Sequence, residues 1–122
     1  MLIISDQTFT GLQVAVAESW LKRVVPQVIA ARPDWSKQVG VSIVTETCRE
    51  IEAFTSNYAI DSMDNFWRLL DAVIHDQGAL TQISEYQDFA LKRTGFSQDL
   101  RVTRFVCEVK EGRRTQLLEL NG

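Results

Sequence analysis

The stretch KQVGVSIVTETCREIEAFTSNY, residues 37–58, decides the fold. Its first half reads as a strand: Val39, Val41, Ile43 and Thr45 alternate and are mostly β-branched, which suits a pleated surface. Over its whole length it follows another period. Val41, Val44, Cys48, Ile51, Thr55 and Tyr58 are spaced 3-4-3-4-3, the repeat that keeps residues on one face of an α-helix. Local propensity is a weak preference that burial along a sustained stripe overrides. The spacing therefore predicts a helix over about Lys37–Asn57 and a mainly α protein.

Upstream, Ser5 is an N-cap candidate, and Phe9, Leu12, Val16, Trp20 and Val24 share one face of a helix that starts at about Asp6. Leu21, Val25, Val28 and Ile29 widen the stripe. Pro26 lacks a backbone donor and clashes with the preceding turn, so a kink or restart is expected near Val25. Arg32-Pro33-Asp34 ends the segment, because the residue before proline avoids the helical region. Trp35 falls in the loop that follows.

Downstream, Ala59-Ile60-Asp61 is a short connection. Ser62 caps the next helix, Asp64 adds favourable charge to its first turn, and Met63, Phe66, Trp67, Leu70, Val73 and Ile74 form its apolar face. Gly78 is its expected terminator. Ser84-Glu85-Tyr86-Gln87 matches a capping box, predicting a short helix to about Thr94 with Tyr86, Phe89, Ala90 and Arg93 on one side. The tail supports two readings. Leu100–Val109 is β-rich and could turn through residues 110–114 into a hairpin with Thr115–Leu120. A helix over Gln98–Lys110, with Gly112 beyond its end, accommodates Val102, Phe105, Val106 and Val109 equally well. The expected architecture is a single domain, residues 1–122: an irregular bundle of four or five helices, with a short C-terminal β-hairpin as the alternative ending.

Composition agrees. The 122 residues are 45% hydrophobic and 24% charged, which excludes a disordered, collagen-like or low-complexity chain. No apolar run is long enough to span a bilayer. Met1–Asp6 lacks the basic and apolar regions of a secretory signal, so a cytoplasmic protein is expected. Cys48 and Cys107 belong to no CxxC or CxxH motif and are expected as reduced thiols packed as small hydrophobes.

The net charge of −3 hides an uneven distribution. Residues 46–89 carry nine acidic and two basic groups, net −7, whereas residues 90–122 carry seven basic and four acidic groups, net +3. The acidic middle is either a solvated helix face or a docking face for a basic partner. The basic tail (Lys92, Arg93, Arg101, Arg104, Arg113, Arg114) offers weak attraction to nucleic acid at best, given the overall sign.

Motifs that would carry chemistry are sparse. His75 follows Asp71 by one helical turn, and a Cys48 nucleophile beside them would make a small enzyme; a helix-end histidine among surface acids explains His75 as well. Glu46, Glu50 and Glu52 lack the Glu-x-x-His partner of di-metal helical proteins, so no metal is expected. No phosphate-binding glycine motif or nucleophile elbow occurs, and no cofactor is expected. Trp20 and Trp67 fall on apolar stripes and read as core; a loop Trp35 would serve as an interface anchor or pack over a helix end.

The order of features resembles a group of small helical accessory proteins encoded in bacterial type VI secretion clusters, beside genes for spike proteins, PAAR-type spike tips and toxic effectors. The resemblance covers residues 1–80: the opening Met1–Phe9, the segment from Trp20 to Pro33, the junction Asn57-Tyr58-Ala59-Ile60 and the run Phe66-Trp67-Arg68-Leu69-Leu70. Tyr58-Ala59 stands where that pattern has Tyr-Gly. The resemblance implies a non-enzymatic protein that acts by binding: a chaperone or adaptor for a secreted effector, or an immunity protein that neutralises a toxin. The expected partner is a protein (effector, toxin or spike component), not a membrane or nucleic acid. Charge and aromatic content nominate Trp35, Glu46, Glu50, Asp64 and Asp71 as partner-binding residues.

Overall fold

In the computed structural model the chain forms α1 (Asp6–Ala31), α2 (Pro33–Val39), α3 (Val41–Asn57), α4 (Met63–His75), α5 (Glu85–Leu91) and α6 (Gln98–Asn121). The structure describes the backbone of residues 6–93 and 95–121 and the side chains of residues 18–93 and 95–111. The fold is mainly α, and no strand occurs among the described residues. The helices fall into two units, Met1–Glu52 and Ala53–Gly122, with α3 running across the boundary.

In the first unit, α1 packs against α2. Ser5 and the side chains of Phe9, Leu12 and Val16 lie outside the described residues. Leu21, Val24 and Val28 are buried at the predicted spacing, while Trp20 is half-buried rather than core. The kink expected at Pro26 does not divide the helix, which is assigned unbroken through it. Pro26 is exposed, so its ring needs no room in a packed interface.

The helix predicted from Lys37 to Asn57 is divided at Gly40. Lys37–Val39 end α2, and α3 starts at Val41. Gly40 has φ 88° and ψ 161°, a conformation essentially reserved for glycine. Its N–H donates to the carbonyl of Ser36 (2.9 Å), and its carbonyl accepts from Val44 (3.1 Å), so one residue closes α2 and opens α3. Pro33 fits the first position of α2, where no donor is needed. Trp35 therefore sits inside a helix, half-buried, and not in a loop. Arg49 joins α3 to α1 by donating to Glu18 (3.0 Å) and to Glu46 (2.8 Å).

The second unit begins with the end of α3. Ala59 has φ 54°, and the Ile60 N–H reaches back to the carbonyl of Thr55 at 2.8 Å. That is a left-handed helix stop of the Schellman type, which favours glycine. Arg101 of α6 clamps this stop. Its guanidinium donates to the carbonyls of Tyr58 (2.6 Å) and Leu91 (2.7 Å) from one nitrogen and to that of Phe96 (3.2 Å) from another. One cation thus holds the carbonyl ends of α3 and α5, where the helix dipoles are negative.

Helix α6 packs along α4 and also touches α5. Phe66, Leu69, Leu70 and Val73 of α4 are buried, as are Val102, Phe105, Val106 and Val109 of α6. The Phe54 and Phe105 rings lie 5.1 Å apart, and the Phe54 and Tyr58 rings 4.8 Å apart. Of the two tail readings the helix forms, because its 3-4 spacing buries one continuous stripe. Its backbone continues past Gly112 to Asn121. Trp67, expected in the core, is half-buried and meets Phe66 edge-on at 5.4 Å.

The caps differ in kind. Ser62 holds the N-cap position of α4, but its side chain makes no capping bond. Gln98 does the work from α6: its Oε1 accepts from the N–H of Asp61 (3.0 Å) and Ser62 (3.1 Å), and its Nε2 donates to Asp61 Oδ1 (2.6 Å). Asn65, wholly buried, donates to Gln98 and Asp99 and accepts from Arg68. Helix α4 stops at His75, before the expected Gly78, which lies in the following turn. The capping box of α5 forms as predicted: Ser84 Oγ accepts from the Gln87 N–H at 3.1 Å and the Gln87 side chain returns a bond at 3.0 Å. That helix ends at Leu91 rather than near Thr94.

Candidate functional site

The corner between α5 and α6 gathers large apolar side chains that the core does not absorb. Tyr86 is 56% exposed, Phe89 65%, Phe96 43% and Leu100 57%. Isolated exposed apolar residues are ordinary, but a contiguous group of them marks an interaction surface.

Arginines bind this group together. Arg93 stacks on two rings at once, 5.8 Å from the centroid of Phe89 and 5.0 Å from that of Phe96. Arg104 lies 5.3 Å from the centroid of Tyr86 and donates to its hydroxyl. These cation–π contacts pre-order long side chains that would otherwise lose rotamer freedom on binding. A recess of about 70 Å³ is lined by Ala90, Arg93, Phe96, Leu100, Arg101 and Arg104. An open groove of about 500 Å³ lies beside it, against Phe89, Lys92, Arg93, Gly95 and Phe96. Among the described residues neither lining includes a carboxylate. Small-molecule sites enclose most of their ligand in roughly 300–1,000 Å³; here the recess is too small and the larger groove is open, so neither encloses a small molecule.

Behind the corner, the Tyr58 hydroxyl donates to Asp88 Oδ1 at 2.6 Å, and Asp88 Oδ2 pairs with Lys92 at 3.0 Å. Burial, followed by that hydrogen bond, pushes the Tyr58 phenol up to about 12. The hydrogen bond from Tyr58, and then the one from Lys92, hold Asp88 below the usual carboxylate range. Both groups are thereby locked in their ordinary charge states at neutral pH, which suits an anchor for α5 better than acid–base chemistry.

The residues nominated from the sequence are spread over both units. In the first, Trp35 is half-buried on α2, while Glu46 and Glu50 are exposed one turn apart on α3; Glu46 is engaged by Arg49. In the second, Asp64 is exposed in the first turn of α4, and Asp71 is half-buried two turns later on the same face. Of the residues considered for catalysis, His75 is exposed at the end of α4. Cys48 is buried, which pushes its thiol up to about 11 and suppresses the thiolate a nucleophile needs. Cys107, expected to be packed, is exposed. No group of three His, Cys, Asp or Glu side chains among the described residues could hold a metal ion, and no described helix is long and apolar enough to cross a membrane.

The α5–α6 corner was missed from sequence, although the signal was present. The sequence puts Tyr86, Phe89 and Arg93 on one side of a helix expected to reach Thr94, but a one-sided stripe does not reveal whether that side faces protein or water, and Arg93 lies just past the end of α5. The chain matches no protein-family model, no curated protein and no solved structure.

Proposed function

We propose that this chain is a non-enzymatic protein-binding accessory protein that docks its partner on the aromatic–arginine face of α5 and α6. The observation that most supports this is the contiguity of Tyr86, Phe89, Phe96 and Leu100, all exposed and interleaved with stacked arginines. Aromatic residues and arginine are the side chains that dominate binding hot spots. Together with the resemblance over residues 1–80, this favours a chaperone or adaptor for a type VI secretion effector. A second reading, an immunity protein against a basic toxin, is favoured by the −7 charge of residues 46–89 and the exposed carboxylates of Glu50 and Asp64.

The test is affinity capture of the tagged protein from its native lysate, alongside a Phe89→Ser/Phe96→Ser variant checked for helicity. An effector or spike component in near-stoichiometric amount, lost in the variant, is the expected result. A protein that emerges alone and monomeric overturns the proposal. Co-expression with the captured partner then separates the roles: an immunity protein abolishes toxicity, whereas a loading chaperone raises effector level and export.

A further inference from the structure

Among the cations on the α5–α6 face, Arg93 differs from its neighbours. Lys92 is paired with Asp88, and Arg104 with Glu108 at 3.4 Å. Arg101 spends its donors on main-chain carbonyls. Arg93 rests against the Phe89 and Phe96 rings and has no carboxylate or carbonyl partner for its side chain among the described residues. Arg93 is exposed, so its guanidinium N–H donors remain accessible to a carboxylate, which a guanidinium grips with paired hydrogen bonds. Beside it, the recess of about 70 Å³ has apolar walls from Ala90, Phe96 and Leu100. That is the space of about two water molecules, enough for a small aliphatic side chain.

We infer that the α5–α6 corner binds a segment of a protein partner in which a carboxylate adjoins a small aliphatic side chain: the carboxylate on Arg93, the aliphatic group in the recess beside Phe96 and Leu100. The inference rests on the protein-binding reading above and adds the chemistry of the partner. Charge decides between occupants. A nucleic-acid backbone requires a run of unpaired cations, and among the described residues this face offers one, with Asp88 paired to Lys92 and Glu108 to Arg104. The ring faces that would stack on bases are partly covered by Arg93 and Arg104. A single carboxylate flanked by an apolar group satisfies the face as it stands.

The experiment measures fluorescence anisotropy of labelled synthetic peptides on the full chain. One peptide places Glu beside Val in a neutral, flexible background; a second replaces the Glu with Gln; a third replaces the Val with Gly. The first is expected to bind about tenfold tighter than the second, the worth of one charge-assisted hydrogen bond, and several-fold tighter than the third. Arg93→Gln should erase the Glu/Gln difference while the Val/Gly difference persists, and Arg93→Lys should restore it in part. Arg93 is exposed, so both variants are expected to fold, and circular dichroism checks this. Equal binding of the Glu and Gln peptides, or no peptide binding at all, overturns the inference. So does an oligothymidine that outcompetes the peptide, or self-association that is lost with Phe96→Ser and accounts for the face. Lysate capture that survives Arg93→Gln removes this inference and leaves the accessory reading standing. Peptide selectivity without any captured effector removes the secretion reading and leaves the site.

Discussion

Helix α6 has two careers. Along α4 it contributes Val102, Phe105, Val106 and Val109 to a closed apolar seam, bordered by the Asn65–Gln98–Asp99 hydrogen bonds. At its N-terminal corner with α5 it presents Leu100 and Arg104 to water, beside Phe89 and Phe96. Side chains of similar character are spent on cohesion in one place and left exposed in the other. The difference lies in polar accounting. At the seam, buried polar groups find partners within the unit. At the corner, Arg93 finds only ring faces among the described residues, and its hydrogen-bonding capacity stays available to something else.

The comparison can be broken or sharpened by substitution. Phe105→Ala attacks the seam where the ring is 2% exposed and packed on Phe54, so a loss of about 3–5 kcal/mol is expected in denaturant unfolding. Arg101→Gln removes the clamp and strands the carbonyls of Tyr58 and Leu91; the expected cost is about 1.5–3 kcal/mol, with Arg101→Lys a poor rescue because one ammonium cannot match the fork.

Thermal melts across pH probe the Tyr58–Asp88 anchor. The Asp88 carboxyl is held low in the folded state, so its contribution is present above its unfolded value near 4 and is lost as pH falls below it. Tyr58 is raised, so its contribution is complete below 10.0 and is lost as pH rises toward about 12. Tyr58→Phe should cost about 0.5–1.5 kcal/mol at neutral pH and flatten the alkaline fall. Ala59→Gly relieves the left-handed φ of 54° and should gain about 0.5–1 kcal/mol in the same unfolding assay. The smallest change belongs to the corner. Phe89→Ser should shift stability by no more than about 0.5 kcal/mol while abolishing capture of the partner. A loss as large as that of a seam residue would make Phe89 structural and dissolve the contrast.

Much of the fold was legible because burial imposes a period. The Val41–Tyr58 spacing identified α3 against its β-branched composition, although Val41 itself is exposed and the buried stripe starts at Val44, and the Ser84–Gln87 box located the start of α5. The α2–α3 break at Gly40 was not legible: its backbone conformation leaves no trace in a hydrophobic pattern. Nor was the Gln98 cap, because the sequence offered Ser62 as a local solution and the bond comes from a residue distant along the chain. The unpatterned Arg101 clamp was hidden for a related reason, since its partners are main-chain carbonyls that any sequence possesses. The candidate site was the least legible. Tyr86, Phe89 and Arg93 share a side of the helix expected up to Thr94, but exposure is a property of what packs nearby, and charge and tryptophan content drew attention to Trp35, Glu46, Glu50, Asp64 and Asp71 instead.

The two thiols offer a practical consequence. Cys48 is buried and resists ionisation, while Cys107 is exposed on α6. Leu100, Arg104 and Cys107 follow the spacing of a single helix face, so Cys107 stands one turn beyond Arg104. The chain thus carries a built-in attachment point: a maleimide dye at neutral pH would label Cys107 selectively and report occupancy of the neighbouring face without a substitution.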